Sequence, residues 1–307
     1  MNVLGIDVGA GTIKFGVFSD ARQPFFSAEE KTARTYTELK AQLLGIAAKL
    51  KKSHWIEAVG IGVPGFISSR ERIIELSPNM LFLNGVPLER EIISEIGLPV
   101  CVENDANAAA LGEFLSMDEP RPVSFVLLTI GSGIGSGIIL DGRIWQGACG
   151  FAAELGHMPV NSQGRLCGCG NRGCAETESS ETGIVKNYQE YTGSAQAISA
   201  RDIFNLMQKG SAPARQAFQR AGSYLGVLFS QIVYFLNPER IAIGGGVAAS
   251  GEALLAPARE ELSRRVIAKA FACTRIEPAR LGNEAGMAGA AALARGVRPR
   301  PGGAVRP

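Results

Sequence analysis

The sequence predicts an α/β protein of two domains in which one strand–turn–strand unit occurs twice. Three observations carry this. Residues 3–18, VLGIDVGAGTIKFGVF, form an apolar run, a glycine-rich turn and a second apolar run. Residues 123–140, VSFVLLTIGSGIGSGIIL, return to the same pattern. A third apolar run, IAIGGGV at 241–247, also ends in glycines. Short apolar runs bounded by glycine suit buried strands. Two matching units suit a duplicated architecture with one copy on each side of a cleft.

The elements follow in order. Residues 3–18 are expected to form a hairpin. Residues 37–52 place Leu39, Leu43, Ile46 and Leu50 on one helical face, with Thr35 or Thr37 as cap. Residues 57–67 read as a strand ending in a Pro-Gly turn, and 87–96 as a short helix with proline in its first turn. The strand PVCVEND then leads into a helix over 105–116. A polar, proline-rich stretch at Met117–Val123 marks the boundary, giving domains 1–120 and 121–307. Tyr224–Leu236 is almost wholly apolar and is expected to be a buried helix, core rather than interface. Glu284–Gly296 is alanine-rich and fits a closing helix that packs back on the first domain. The basic tail GVRPRPGGAVRP reads as a frayed end.

Composition excludes several classes. Of 307 residues, 46% are hydrophobic and 20% charged, enough apolar surface to offset the cost of ordering. Thirty-one Lys+Arg against 29 Asp+Glu leave a net charge of +2, which points to neither nucleic acid nor an acidic membrane as partner. No run approaches the ~18 uncharged apolar residues of a membrane helix. The opening MNVLGIDVG lacks a basic leader region, so a cytoplasmic location is expected.

The glycine turns carry the first chemistry. Asp7-Val8-Gly9-Ala10-Gly11-Thr12 follows an apolar run. Glycine lets backbone N–H groups approach phosphate oxygens closely. A strand-end Asp can hold a hydrated Mg2+ ion. Gly131-Ser132-Gly133 and Gly244-Gly245-Gly246 offer two more such cradles, and together the three favour a nucleotide cleft over simple hairpins. In Glu103-Asn104-Asp105-Ala106-Asn107, Asp105 suits either a helix N-cap or a base that takes a hydroxyl proton, and the two roles are compatible. Asn104 would hydrogen-bond sugar hydroxyls.

His157, Cys167, Cys169 and Cys174 give the most specific signal. Three thiolates and one imidazole form a closed tetrahedral zinc set, with no open position for catalysis. Glu154 and Glu176 flank it, and paired carboxylates suit vicinal sugar hydroxyls. Cys101, Cys149 and Cys273 read as buried small hydrophobes, and His54 as a surface residue.

These motifs together resemble the ROK family of repressors, open reading frames and sugar kinases. The carriers are DVGAGTIK, GVPG, SPN, ENDANAAALGE, GSGIGSGIIL, ELGH, CGCGNRGCAE and GGGV. The resemblance implies an actin-like ATPase (ribonuclease H-like) fold, with ATP at the bottom of the cleft and a sugar near the hinge. It implies Asp105 as general base. It implies sugar contacts from Asn79, Asn104, Asp105, Glu154, His157 and Glu176. The phosphate loops would be Asp7 to Thr12 with Lys14, and Gly131 to Gly133, with Gly244 to Gly246 on the adenosine side. The expected activity is ATP-dependent phosphorylation of a hexose, glucose first, at its 6-hydroxyl. Structural Zn2+, Mg2+ with ATP and a homodimer are also implied. Other readings are an N-acetylmannosamine or other amino-sugar kinase, a polyphosphate donor, and a non-catalytic sugar sensor. Two departures stand out. Gly11 occupies the place where the family has Thr, and NMLFLNG follows Ser-Pro where many members carry Trp. Ala10 requires a negative φ.

Overall fold

The computed structural model describes residues 1–19 and 23–296; the basic tail beyond Gly296 lies outside the described residues. The chain separates into two compact units. The first comprises Met1–Glu119, Ile144–Ala152 and the described part of Asn283–Pro307; the second comprises Pro120–Arg143 and Ala153–Gly282.

The first unit opens with the hairpin β1 (Asn2–Val8) and β2 (Thr12–Phe18), followed by β3 (Phe26–Lys31). Helix α1 (Tyr36–His54) begins at Thr35, whose side chain accepts from the Glu38 N–H. Then come β4 (Ile56–Val63), the small hairpin β5 (Phe66–Ile67) and β6 (Ile74–Leu76), α2 (Leu88–Ile96), β7 (Val100–Asn104) and α3 (Asp105–Ser116). The expected strand over 57–67 is therefore broken. Gly65 turns the chain after Val63 at φ +130°, where a side chain would be strained. The sheet order is β3-β2-β1-β4-β7, antiparallel in the hairpins and parallel from β1 to β7.

Residues alternate across this sheet. Leu4, Ile6 and Val8 pack with Leu39, Leu43, Ile46 and Leu50 of α1. Gly5, on the opposite face, meets the closing helix α10 (Ala285–Gly296): a Cβ there would lie 2.9 Å from the Ala291 nitrogen. Gly60 of β4 pairs with Gly5 and likewise abuts Ala290.

The second unit repeats the plan with β8 (Ser124–Ile130), β9 (Ile134–Leu140) and β10 (Arg143–Ile144), whose second residue already counts with the first unit. Helices α4 (Ala175–Ser179), α5 (Glu181–Thr192), α6 (Ala200–Gln208) and α7 (Ala212–Leu236) follow, then β11 (Arg240–Gly244), α8 (Glu252–Arg265), α9 (Ala268–Cys273) and β12 (Arg275–Pro278). The sheet order is β10-β9-β8-β11-β12, antiparallel in β8–β9 and parallel from β8 to β12. Its core joins Val126, Leu128 and Ile130 to Phe218, Leu225 and Phe229 of α7. No helix among the described residues is long and apolar enough to cross a membrane.

Two expectations are corrected here. The apolar stretch 224–236 is only the second half of α7, and it is not buried throughout: Tyr234 is 61% and Phe235 85% exposed. The free cysteines are also less buried than expected. Cys101 is half-buried, while Cys149 and Cys273 are exposed, the latter ending a helix that buries no residue.

Candidate active site

Asp7 and Asp105 lie in the first unit at the ends of β1 and β7. Asp7 pairs with Lys14 across the hairpin and with Gly62 across β4, and Gly62 in turn pairs with Glu103. A Cβ on Gly62 would lie 3.5 Å from the Asp105 Cα, an ordinary packing distance, so the head of α3 lies directly against this strand. The first turn of α10 closes over the other side: a Cβ on Gly286 would lie 2.6 Å from the Asp7 carboxyl carbon. Burial, and then the charge of Asp105, push the Asp7 carboxyl up to about 6 against the opposing pull of Lys14. Burial also raises Asp105, while the Ala106 N–H, donated to its Oδ1 at 2.9 Å, opposes the rise.

The N-cap of α3 is Asn104, and Asp105 is the first helical residue, so the cap reading of Asp105 is corrected. Asn104 Oδ1 accepts the Asn107 N–H at 3.0 Å, and its Nδ2 donates to the Gly65 carbonyl at 3.0 Å. One amide N–H of Asn104 stays available for a ligand. Asn79 is exposed beside a turn held by buried Ser77, whose N–H donates to Asn84 and whose hydroxyl donates to the Pro64 carbonyl.

Strand β7 is an edge strand, yet side chains satisfy its outer groups. Val102 N–H donates to Glu89 at 2.8 Å, and the Val102 carbonyl accepts from Arg72 at 2.6 Å; Arg72 and Glu89 pair at 2.6 Å. Next, buried Glu103 accepts from Asn104 N–H (3.0 Å), Asn107 Nδ2 (3.1 Å) and Gln146 Nε2 (2.5 Å).

The first glycine loop is tied from outside. Thr32 donates to the Gly9 carbonyl at 2.6 Å, and the Thr32 N–H donates to Gly11 at 3.1 Å. Ala10 is not among the positive-φ residues, so its Cβ is accommodated. Ala10, Gly11 and Thr12 are exposed, and a Cβ on Gly11 would meet nothing within 4 Å.

The other two glycine loops meet in the second unit at the carboxyl ends of neighbouring parallel strands, the customary ligand edge of such sheets. Gly245 has φ +85°, and a Cβ there would lie 2.6 Å from the Ile130 nitrogen. Gly244 pairs with Thr129, and Gly246 faces open space. The Gly131 carbonyl accepts the Glu181 N–H at the head of α5, and the carbonyl of exposed Ser132 accepts from Thr182 at 2.9 Å. Gly133 lies against the Glu176 carboxylate, which accepts the Ile134 N–H at 3.0 Å.

The ligand atoms of His157, Cys167, Cys169 and Cys174 lie within 4.8 Å of one another. His157 Nδ1 is 3.6 Å from Cys167 Sγ, and Cys169 Sγ is 3.6 Å from Cys174 Sγ. Burial pushes the Cys174 thiol up to about 12, a cost that a bound cation would offset. The donor set fits a tetrahedral metal ion. Glu154 is exposed at the start of the turn that carries His157, and Ala153 before it has the strained φ of +70°.

The family model for "ROK family" matches residues 3–297. The chain belongs to the ROK family. Its two units have the actin-like ATPase architecture of ROK kinases. This ROK chain is 32% identical to a glucokinase of Halalkalibacterium halodurans over 93% of its own length and 92% of the relative's. It is 30% identical to an N-acetyl-D-glucosamine kinase of Vibrio cholerae, over 94% and 98%. A ROK glucokinase of Streptomyces griseus, solved with glucose and AMPPNP, superposes with a TM-score of 0.82 at 30% identity and covers 97% of this chain and 100% of that one.

Sequence reasoning missed much of what holds this ROK site. Arg165, two residues before Cys167, donates to Glu178 (3.1 Å), Asn187 (2.7 Å), Glu190 (2.7 Å) and the Thr177 carbonyl (2.9 Å). Glu178 is fully buried, and Arg220 stands 3.7 Å from it. This network braces the cysteine loop.

Proposed function

We propose that this chain is an ATP-dependent hexose kinase that phosphorylates the 6-hydroxyl of glucose. The observation that carries the reading is Asp105: a half-buried carboxylate of raised basicity at the head of α3, close to a second carboxylate, Asp7. A base whose pKa is lifted toward working pH takes a proton most effectively. In the reaction the sugar oxygen bonds to the γ-phosphorus, the bond to the bridging β–γ oxygen breaks, and the hydroxyl proton passes to Asp105. Such a transfer needs mainly positioning and charge stabilisation.

Asn79, Asn104, Glu154, His157 and Glu176 are proposed as sugar contacts. Gly9 to Thr12 with Lys14, Gly131 to Gly133 and Gly244 to Gly246 are proposed to hold ATP through backbone N–H groups. Mg2+ bound with ATP would neutralise phosphate charge, and Asp7 is the carboxylate proposed to hold it through water. Zn2+ is proposed for the His157, Cys167, Cys169 and Cys174 set, where it would fix the loop that carries His157 and Glu176. A cytoplasmic homodimer completes the reading. Sedimentation and metal analysis of protein purified without chelator test the dimer and the zinc.

An ADP-release assay with Mg-ATP against glucose, mannose, fructose, N-acetylglucosamine and N-acetylmannosamine tests the activity. Turnover fastest with glucose is expected. Turnover only with an amino sugar transfers the reading to the amino-sugar kinases, a class the Vibrio cholerae relative supports. No turnover with any sugar overturns it.

A further inference from the structure

The segment Ile144–Ala152 lies between stretches of the second unit in sequence yet counts with the first. Its attachments are specific. Cys149 carbonyl accepts the Ser69 N–H at 3.0 Å, and Phe151 meets Phe66 edge-on at 5.8 Å. Gly150, at φ +98°, allows the backbone to approach Ser69, where a Cβ would lie 2.9 Å from the nitrogen. Gln146 makes the attachment nearest the proposed base, donating to Glu103 at 2.5 Å.

Glu103 is 4% exposed, and its other acceptor site serves the first turn of α3. It takes the Asn104 N–H and the Asn107 side-chain amide. Asn107 is itself buried, and its Oδ1 has no partner. That amide is turned so that its donor meets Glu103, at the expense of its own oxygen. All three neighbouring groups donate to the Glu103 oxygens, so its carboxyl group sets their orientation. Asn104 and Asp105 thus leave β7 in a conformation that Glu103 sets from one side, and Gln146 holds Glu103 from the other.

We propose that Glu103 and Gln146 are positioning residues for Asp105: Gln146 fixes the Glu103 carboxylate, and Glu103 fixes the turn that aims the base at the acceptor hydroxyl. This rests on the kinase reading. A displacement of about 1 Å at a reacting group costs on the order of 100-fold in rate, so the pair acts on kcat more than on substrate affinity.

The test compares wild type with Gln146→Met, which keeps length and loses the donor, and Gln146→Lys, which restores an N–H donor. With the favoured sugar and Mg-ATP, Gln146→Met is expected to lower kcat roughly 10- to 100-fold, with KM for sugar and ATP changed less than about 3-fold. Gln146→Lys is expected to recover most of kcat. Hydrogen exchange at the amides of Asn104 to Asn107 should quicken in Gln146→Met alone. An unchanged kcat in Gln146→Met, or a melting-temperature loss in both variants with kcat and KM impaired alike, overturns the proposal. If wild type turns over no sugar, the kinase reading fails by itself. Exchange at α3 then still decides whether Gln146 fixes this turn, and unaltered exchange overturns the pairing.

Discussion

The sheets β3-β2-β1-β4-β7 and β10-β9-β8-β11-β12 share one strand order but are covered differently. In the second unit, α7 lays Phe218, Leu225 and Phe229 on the sheet. In the first, α10 brings its backbone against Gly5 and Gly60, and against α3 at Gly112. The face that carries Asp7 has traded side-chain bulk for close backbone approach. This lets the first turn of a helix reach the half-buried Asp7 carboxylate. The means of fixing the site differ as well. Hydrogen bonds to Glu103, Asn104 and Val102 hold Asp105 in place. The turn of His157 is gathered with three cysteines into a set that suits a metal ion.

Four substitutions or treatments sharpen this contrast. Asp105→Asn removes the proposed base and should lower kcat about 10²- to 10⁴-fold, with sugar binding retained by calorimetry. Gly60→Val strikes the close packing of the first unit. Its Cβ would run into the Ala290 backbone, and a loss of about 3 kcal/mol is expected in urea titration. A valine in the face covered by α7 should be far better tolerated, and equal tolerance at Gly60 would break the contrast.

Asp7→Asn tests what the close approach costs. Asp7 holds its proton more tightly folded, at about 6, than unfolded, at 3.8. Folding is therefore penalised as pH rises from 3.8 through about 6, and the penalty is complete above that. At pH 7 Asp7→Asn should stabilise by about 2 to 3 kcal/mol, an advantage that vanishes below pH 4, while Mg-ATP turnover falls. A melting temperature that rises equally at both pH values would remove this explanation. Chelation is expected to act on the other unit alone. It should weaken sugar binding about 10- to 100-fold and expose the 158–180 segment to protease, leaving hydrogen exchange in α3 unchanged.

The hairpins, the closing helix and the metal set were legible because glycine spacing, alanine content and cysteine spacing are local signals. The network around Asp105 was not. Glu103 and Asn107 stood inside a quoted motif, but their partner Gln146 lies 43 residues away from Glu103 and carries no local mark. Arg72 and Glu89 were silent for the same reason: each is an ordinary surface type until the edge of β7 gives it a task. Asp105 was read as a possible cap because Asp is a good one; Asn104 took that place by standing one residue earlier with its amide aimed at Asn107. In α7, apolar character predicted burial of Tyr234 and Phe235, yet the last turns bury Ile232 and Val233 against the core and leave Tyr234 and Phe235 on the outer face of the helix. The region of α5, α6 and α8 was read as helical, but the individual helices were not delimited; in α6 the signal was present, a Ser199–Asp202 capping box ahead of Ile203, Phe204, Leu206 and Met207.

The way α10 meets β1 bears on how the protein is made. The ribosome delivers β1 ahead of the second unit, but the helix that covers the Gly5 and Asp7 face comes after that unit. During synthesis that face stays bare, and Asp7 stays hydrated and ionised, until α10 emerges. The second unit has all its strands in hand before this happens. Order of appearance and order of completion are therefore reversed for this sheet, and Asp7 can enter its desolvated setting only after α10 has been made.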